Sequence, residues 1–380
     1  MQFIIFFSIV LAVYITGNIF IFNKARHALS PDGIKRIVFG FIYWFLVITF
    51  PLGRILEVVY PSLVSDIILW TGSFWLAFML YFFLASLIVA LLRLLNRFFS
   101  FMPLLFYQWK FKQTVFILVF LFTLIIVISG SYNARNPVIR HVDITIPKSV
   151  HQRDSVHAVM ISDIHLSTLV GKKHLNRLVT MINELNPEII LMPGDLVDGD
   201  LKPVLRKNSG KPFLRLTAPL GNFATTGNHD YIGGVDKAVN YLSDKNIHFL
   251  RDTAILIDSS FYIAGREDLE ASRFENKSRK PLAKITENLD HEHPIILMDH
   301  QPAKLHESAA AGIDLQLSGH THNGQLWPLN FITSALFDIS NGYGKINQMH
   351  VYVSSGAGTW GPPVRLASQA EIVSLTIYFE

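Results

Sequence analysis

Five short clusters of carboxylate, amide and imidazole side chains recur between residues 155 and 380 of this chain. The first is Ser162-Asp163-Ile164-His165. The second, Gly194-Asp195-Leu196-Val197-Asp198-Gly199, follows the apolar run 189–192. The third, Gly227-Asn228-His229-Asp230, follows residues 223–226. His300 stands in Met298-Asp299-His300-Gln301-Pro302, and the fifth cluster is Ser318-Gly319-His320-Thr321-His322-Asn323-Gly324-Gln325. Residues two apart on a strand point the same way. Asp163 with His165, and His320 with His322, are therefore expected to reach common points. The flanking glycines let the backbone turn tightly beside a ligand.

Taken singly, each cluster has an ordinary explanation. Asp-x-His can be a polar strand end, Asp198 a turn or helix cap, and Gly-Asn-His-Asp an Asx turn. A lone histidine is most simply a satisfied core or surface residue. Taken together, Asp163, His165, Asp195, Asn228, His300, His320 and His322 form a set of oxygen and imidazole donors in a chain without cysteine. Such donors suit Mn, Fe or Zn and exclude a thiolate site. Three or four groups hold one ion, so seven hold two if one carboxylate is shared. Asp195, just past a buried strand where a carboxylate needs a counter-charge, is the natural bridge. Paired cations are a device of phosphoryl-type hydrolysis.

The elements that must position these groups read as an α/β domain. Strands are expected over 156–162, 189–192, 223–226, 255–257, 261–264, 295–298, 315–317, 350–353 and 372–379. Helices are expected over 173–185, 235–242 and 303–310. In the first of these, Leu175, Leu178, Val179, Ile182 and Leu185 share one face. Strand–helix alternation favours stacked sheet and helix layers.

Before this domain the solvent changes. Half of the chain is hydrophobic and only 16% is charged. Long apolar runs fill the first 131 residues and predict about four membrane spans, near 1–22, 36–58, 65–92 and 114–131. Span two contains Pro51, Arg54 and Glu57 and is open to a re-entrant reading. Span one has no basic segment ahead of it, unlike a cleaved signal peptide. The run Ser131-Tyr132-Asn133-Ala134-Arg135-Asn136-Pro137 marks a linker, taken as residues 132–154. Residues 1–131 carry nine Lys/Arg against three Asp/Glu, and the remaining residues are net acidic. The basic balance thus belongs to the membrane part, and no nucleic-acid partner is expected. Positive segments 23–36 and 93–113 favour the cytoplasmic side, which places the C-terminal domain outside an inner or plasma membrane.

The ordered series Asp-x-His, Gly-Asp-x-x-Asp-Gly, Gly-Asn-His-Asp, His and Gly-His-x-His resembles the calcineurin-like metallophosphoesterases, and its details resemble their bacterial membrane-associated branch. The resemblance covers residues 155–380. It implies a four-layer α/β/β/α sandwich with two divalent metal ions at the strand ends. By the resemblance, Asp163, His165 and His322 hold one ion, Asn228, His300 and His320 the other, and Asp195 bridges. His229 would meet the phosphoryl group as acid or charge stabiliser, oriented by Asp230. The implied activity is hydrolysis of phosphodiesters or phosphorylated lipids at the bilayer by a metal-bridging hydroxide. A cytoplasmic-facing pyrophosphatase of nucleotide-linked lipid precursors and a non-catalytic metal-binding membrane sensor are the alternatives.

Overall fold

A computed structural model describes residues 2–28, 33–103, 108–150, 153–275 and 277–380. The chain divides into two compact units, Met1–Ser131 and Tyr132–Glu380.

The first unit is built on four long helices, α1 (Gln2–Ala28), α2 (Gly33–Val59), α3 (Leu63–Phe99) and α4 (Trp109–Arg135), the last running on into the second unit. Among the described residues, α2, α3 and α4 are each long and apolar enough to cross a bilayer. Met1, where the first expected span begins, lies outside the described residues. Pro51 sits inside a continuous α2, and Arg54 pairs with Glu57 at 3.2 Å one turn along the helix. The ion pair satisfies the two charges that made this span doubtful from sequence. Close helix approach replaces hydrophobic driving force in a bilayer. A Cβ on Gly72 would lie 2.3 Å from the Phe50 nitrogen, so α2 and α3 touch backbone to backbone there. Asn18 is buried and anchors a polar hub: Tyr43 Oη donates to its carbonyl at 2.8 Å, and Trp75 Nε1 to its Oδ1 at 3.2 Å.

The second unit holds two six-stranded sheets. The strands of the first sheet are β1 (Val138–Ile146), β2 (Ser155–Met160), β3 (Ile189–Pro193), β4 (Asn222–Thr225), β5 (His248–Phe249) and, returning from the C-terminal end, β12 (Glu371–Phe379), in the order β1-β12-β2-β3-β4-β5. The second sheet comprises β6 (Thr253–Ile257), β7 (Phe261–Gly265), β8 (Ile295–Met298), β9 (Leu315–Ser318), β10 (Gly342–Ile346) and β11 (Met349–Val353), in the order β10-β11-β9-β8-β7-β6. Between strands run α5 (Lys172–Glu184), α6 (Lys202–Lys207), α7 (Asn228–Ile232), α8 (Val235–Ser243), α9 (Ala271–Phe274), α10 (Leu282–Thr286), α11 (Leu305–Ala310) and α12 (Asn330–Leu336).

Side-chain alternation along each strand builds the layers. On β3, Ile189 and Leu191 enter the core between the sheets, where they join Met160, Ile296, Met298 and Leu317. Ile190 and Met192 face the other way, against Leu175, Leu178 and Ile182 of α5 and Leu242 of α8. On β8 the same alternation sends Ile295 and Leu297 to an outer core with Leu282, Ile285 and Leu305. The result is helix, sheet, sheet, helix, the sandwich expected from the motifs.

One stretch differs from the sequence reading. Residues 138–146, taken as part of a linker, form β1, which pairs in parallel with β12 along its whole length. Ile144 and Ile146 are buried in the inter-sheet core, and the exposed Arg140 and His141 give this edge strand its loop-like look.

Candidate metal centre

Five connections leave the carboxyl ends of parallel strands at one rim of the two sheets. β2 leads to Asp163 and His165, β3 to Asp195, β4 to Asn228, β8 to His300, and β9 to His320 and His322. Open α/β sheets place ligands at this end of their strands. Asp163, His165, Asp195, His300 and His322 are almost wholly buried.

The side chains gather in two groups that share one carboxylate. In the first, His165 Nε2 and His322 Nε2 lie 3.0 Å apart, and Asp163 Oδ1 is 3.2 Å from the latter and 3.8 Å from the former. In the second, Asn228 Oδ1 is 3.1 Å from His300 Nε2 and 2.8 Å from His320 Nδ1. Asp195 Oδ2 stands 3.1 Å from His300 Nε2 and 3.7 Å from His165 Nε2, within reach of both groups. Its Oδ1 accepts the His229 amide at 2.8 Å.

The donor set fits divalent cations on one detail in particular. His300 Nδ1 is 2.8 Å from the carbonyl of Pro193, which can only accept, so Nδ1 carries a proton. In the neutral ring Nε2 then presents a lone pair, and it faces two oxygens, Asn228 Oδ1 and Asp195 Oδ2, each at 3.1 Å. Only a second proton or a cation reconciles these groups. A histidine with one nitrogen tied to a backbone carbonyl and the other free is the usual metal-ligand arrangement. Electrostatics agree. Burial works against the His300 imidazolium, but Asp195 and Asp163 raise it well above its ordinary range. Burial opposes the Asp195 carboxylate too, yet His300 and His229 hold it well below its ordinary range. For His165, burial is overcome by Asp163 and Asp198, which carry the imidazole up to about 10. The site attracts positive charge.

The route to convergence is not the strand alternation expected from the i, i+2 spacings. β2 stops at Met160 and β9 at Ser318, before either pair. Asp163, His165, Asp195, His320 and His322 instead have φ of 52°, 51°, 54°, 71° and 50°. Left-handed backbone at non-glycine residues costs energy and clusters at functional sites. Successive reversals, not a pleat, turn both members of each pair inward. The His320 amide donates to Asp163 Oδ1 at 3.0 Å and ties the two loops together.

Asp230 does not orient His229. Its carboxylate accepts the amides of Gly227, Asp195 and Val197 at 2.9, 3.1 and 3.1 Å, and so braces the loops under the site. Neighbouring residues on α7 project about 100° apart, which sends the two side chains to different places. The partner of His229 is Asp198, whose Oδ1 lies 2.8 Å from Nδ1. Despite burial, His165 and His229 hold the Asp198 carboxyl well below its ordinary range. The second Asp of Gly-Asp-x-x-Asp-Gly was the available signal, obscured by its fitness as a turn residue.

Arg365, after a Gly-rich loop, is a further neighbour of the site. It is fully buried, with Nη2 3.0 Å from His322 Nδ1 and 2.6 Å from the Gly358 carbonyl. Asp299, next to His300 in sequence, pairs with Arg279 at 3.0 Å and Arg266 at 3.5 Å. Asp268, which burial raises to about 7, accepts from Gln301 Nε2 at 2.9 Å and so fixes the residue after His300.

Known proteins are similar to this chain in sequence. Residues 157–324 match the calcineurin-like phosphoesterase family. An uncharacterized metallophosphoesterase of Aquifex aeolicus (strain VF5) is 31% identical over 218 residues, 57% of this chain and 82% of that protein. A transmembrane protein with metallophosphoesterase domain from Danio rerio is 33% identical over 281 residues, 70% of this chain and 63% of its own length. Its Bos taurus counterpart is 33% identical over 270 residues, 67% and 60% of the two chains. The chain belongs to the calcineurin-like metallophosphoesterases. The match spans less than two thirds of the fish and bovine relatives, and relatives occur in animals as well as bacteria.

Proposed function

We propose that this protein is a membrane-anchored phosphoesterase that uses two divalent metal ions, of the Mn, Fe or Zn type, to cleave phosphodiesters or phosphorylated lipids. The observation that carries this reading is the shared position of Asp195, within 3.1 Å of His300 Nε2 and 3.7 Å of His165 Nε2. Asp163, His165 and His322 would hold one ion and Asn228, His300 and His320 the other. Bound there, the ions would supply charge to neutralise phosphoryl oxygens and to acidify water at neutral pH.

The chain's own residues do the rest. Asp198 fixes the His229 ring through Nδ1, leaving Nε2 to meet the substrate. His229 is more exposed than the buried donors, as a residue that touches substrate must be. It serves as proton donor to the leaving oxygen or as a charge on the phosphoryl group. Trp360, whose ring lies 6.4 Å from that of His229, lines the approach. We also place the α/β unit on the extracytoplasmic side, on the strength of the basic segments 23–36 and 93–113.

The test is turnover of bis-p-nitrophenyl phosphate with Mn²⁺ by the full chain. His229→Ala is expected to lose about 10²–10⁴-fold in kcat, the range of a lost general acid. Asp195→Asn is expected to lose at least as much. Near-parental turnover by either variant refutes the assignment.

A further inference from the structure

Just beyond the segment that matches the family, the chain makes an unusual surface. Residues 323–337 contain no charged side chain, yet much of the segment faces outward. Helix α12 has no buried residue. Trp327 is 46% exposed, Phe331 64%, Ile332 55% and Leu336 71%. A helix facing water carries polar residues on its outer side. Contiguous exposed apolar surface marks an interaction site.

Three contacts place this surface. Trp327 donates its amide to the Leu366 carbonyl at 3.1 Å. Gln325 Nε2 donates to the carbonyls of Trp360 and Pro362, each at 3.0 Å, which joins the half-exposed Trp360 to the same rim. Asn133, on the last turn of α4, donates to the Arg365 carbonyl at 3.5 Å. The loop that holds Trp327 therefore lies beside the residues through which the chain enters this unit from a helix long and apolar enough to cross a bilayer. Only Asn136 and Pro137 separate α4 from β1, a reach of about 7 Å at 3.3–3.6 Å per residue. The covalent tether keeps this unit within reach of the bilayer. The site lies beside it: the rings of His320 and Phe337, the residue after α12, are 6.0 Å apart.

From this geometry we propose that α12 and Trp327 form an interfacial docking surface that dips into the acyl boundary of the bilayer. Exposed Trp, Phe and Leu side chains on a surface helix bury to about 5–10 Å in that boundary. The surface holds the mouth of the donor cluster at headgroup level, where a phosphorylated lipid would present its phosphate. The docking itself does not depend on which phosphoester is cleaved.

The absence of cysteine allows a direct test. Phe331→Cys and, separately, Leu336→Cys are labelled with an environment-sensitive NBD group in the full chain, reconstituted into phosphatidylcholine/phosphatidylglycerol vesicles. Lys284→Cys, on the exposed surface of α10, is the control. Both α12 labels are expected to be quenched several-fold more than the control by doxyl groups on lipid chains, and to be protected from aqueous iodide. Iodide quenching equal to the control would leave the surface in water and overturn the proposal. Protection from both quenchers would place it against protein, a partner or a second copy, and would overturn it as well. The readout needs no turnover, so failure here leaves the catalytic reading intact, and an inactive enzyme with a lipid-embedded label fails that reading alone.

Discussion

A histidine is useful only when one nitrogen is fixed and the other is free. His300 is fixed by the Pro193 carbonyl and His229 by Asp198, each at 2.8 Å. The two carboxylates near His229 therefore have separable roles. Asp198→Asn removes the charge that holds the ring, and kcat is expected to fall about 10–100-fold, as for other groups that orient a reacting residue. Thermal stability should change less. Asp230→Ala strips three buried amides of their acceptor and should lower the melting temperature, at about 1–3 kcal/mol per unsatisfied group. Paired melting and steady-state kinetics on the two variants check this. Equal kinetic losses with unchanged melting would return Asp230 to the orienting role.

At the scale of elements, hydrophobic pattern carried most of the fold. The runs at 189–192 and 295–298 fall within β3 and β8, and the apolar face read on 173–185 is the buried face of α5. What escaped was set by contacts distant in sequence. Residues 138–146 are a strand only because β12, more than two hundred residues later, supplies their partner. The donors were legible as residue types, but their convergence was ascribed to strand periodicity when left-handed turns achieve it, and such turns leave no apolar pattern. The glycines beside them are spacers of a specific kind. A Cβ on Gly319 would lie 2.1 Å from Asp163 Oδ2 and 2.7 Å from Ser162 Oγ. Gly319→Ala must push Asp163 aside, so it should weaken metal retention while costing about 1–3 kcal/mol of stability, as overpacking does. Metal titration followed by calorimetry would show the change, and parental affinity would contradict it.

For the whole molecule the central claim is that a bilayer-embedded helical unit and a sandwich with a paired-cation site are parts of one enzyme. The proposed extracytoplasmic orientation has its own check: alkaline phosphatase fused after Glu380 should be active, whereas activity of a cytoplasm-only reporter at that point would reverse the topology. The most direct measurement is the number of divalent ions retained per chain by the purified full-length protein. Two per chain are expected near pH 7.5, and fewer in Asp195→Asn. Retention should fall on acidification, because protons compete for the same nitrogens: with its imidazole raised to about 10 by Asp163 and Asp198 against burial, His165 must give up a proton to bind a cation, and lower pH makes that harder. A chain that holds no divalent ion at pH 7.5, or whose ion content is unchanged by Asp195→Asn, would contradict the account.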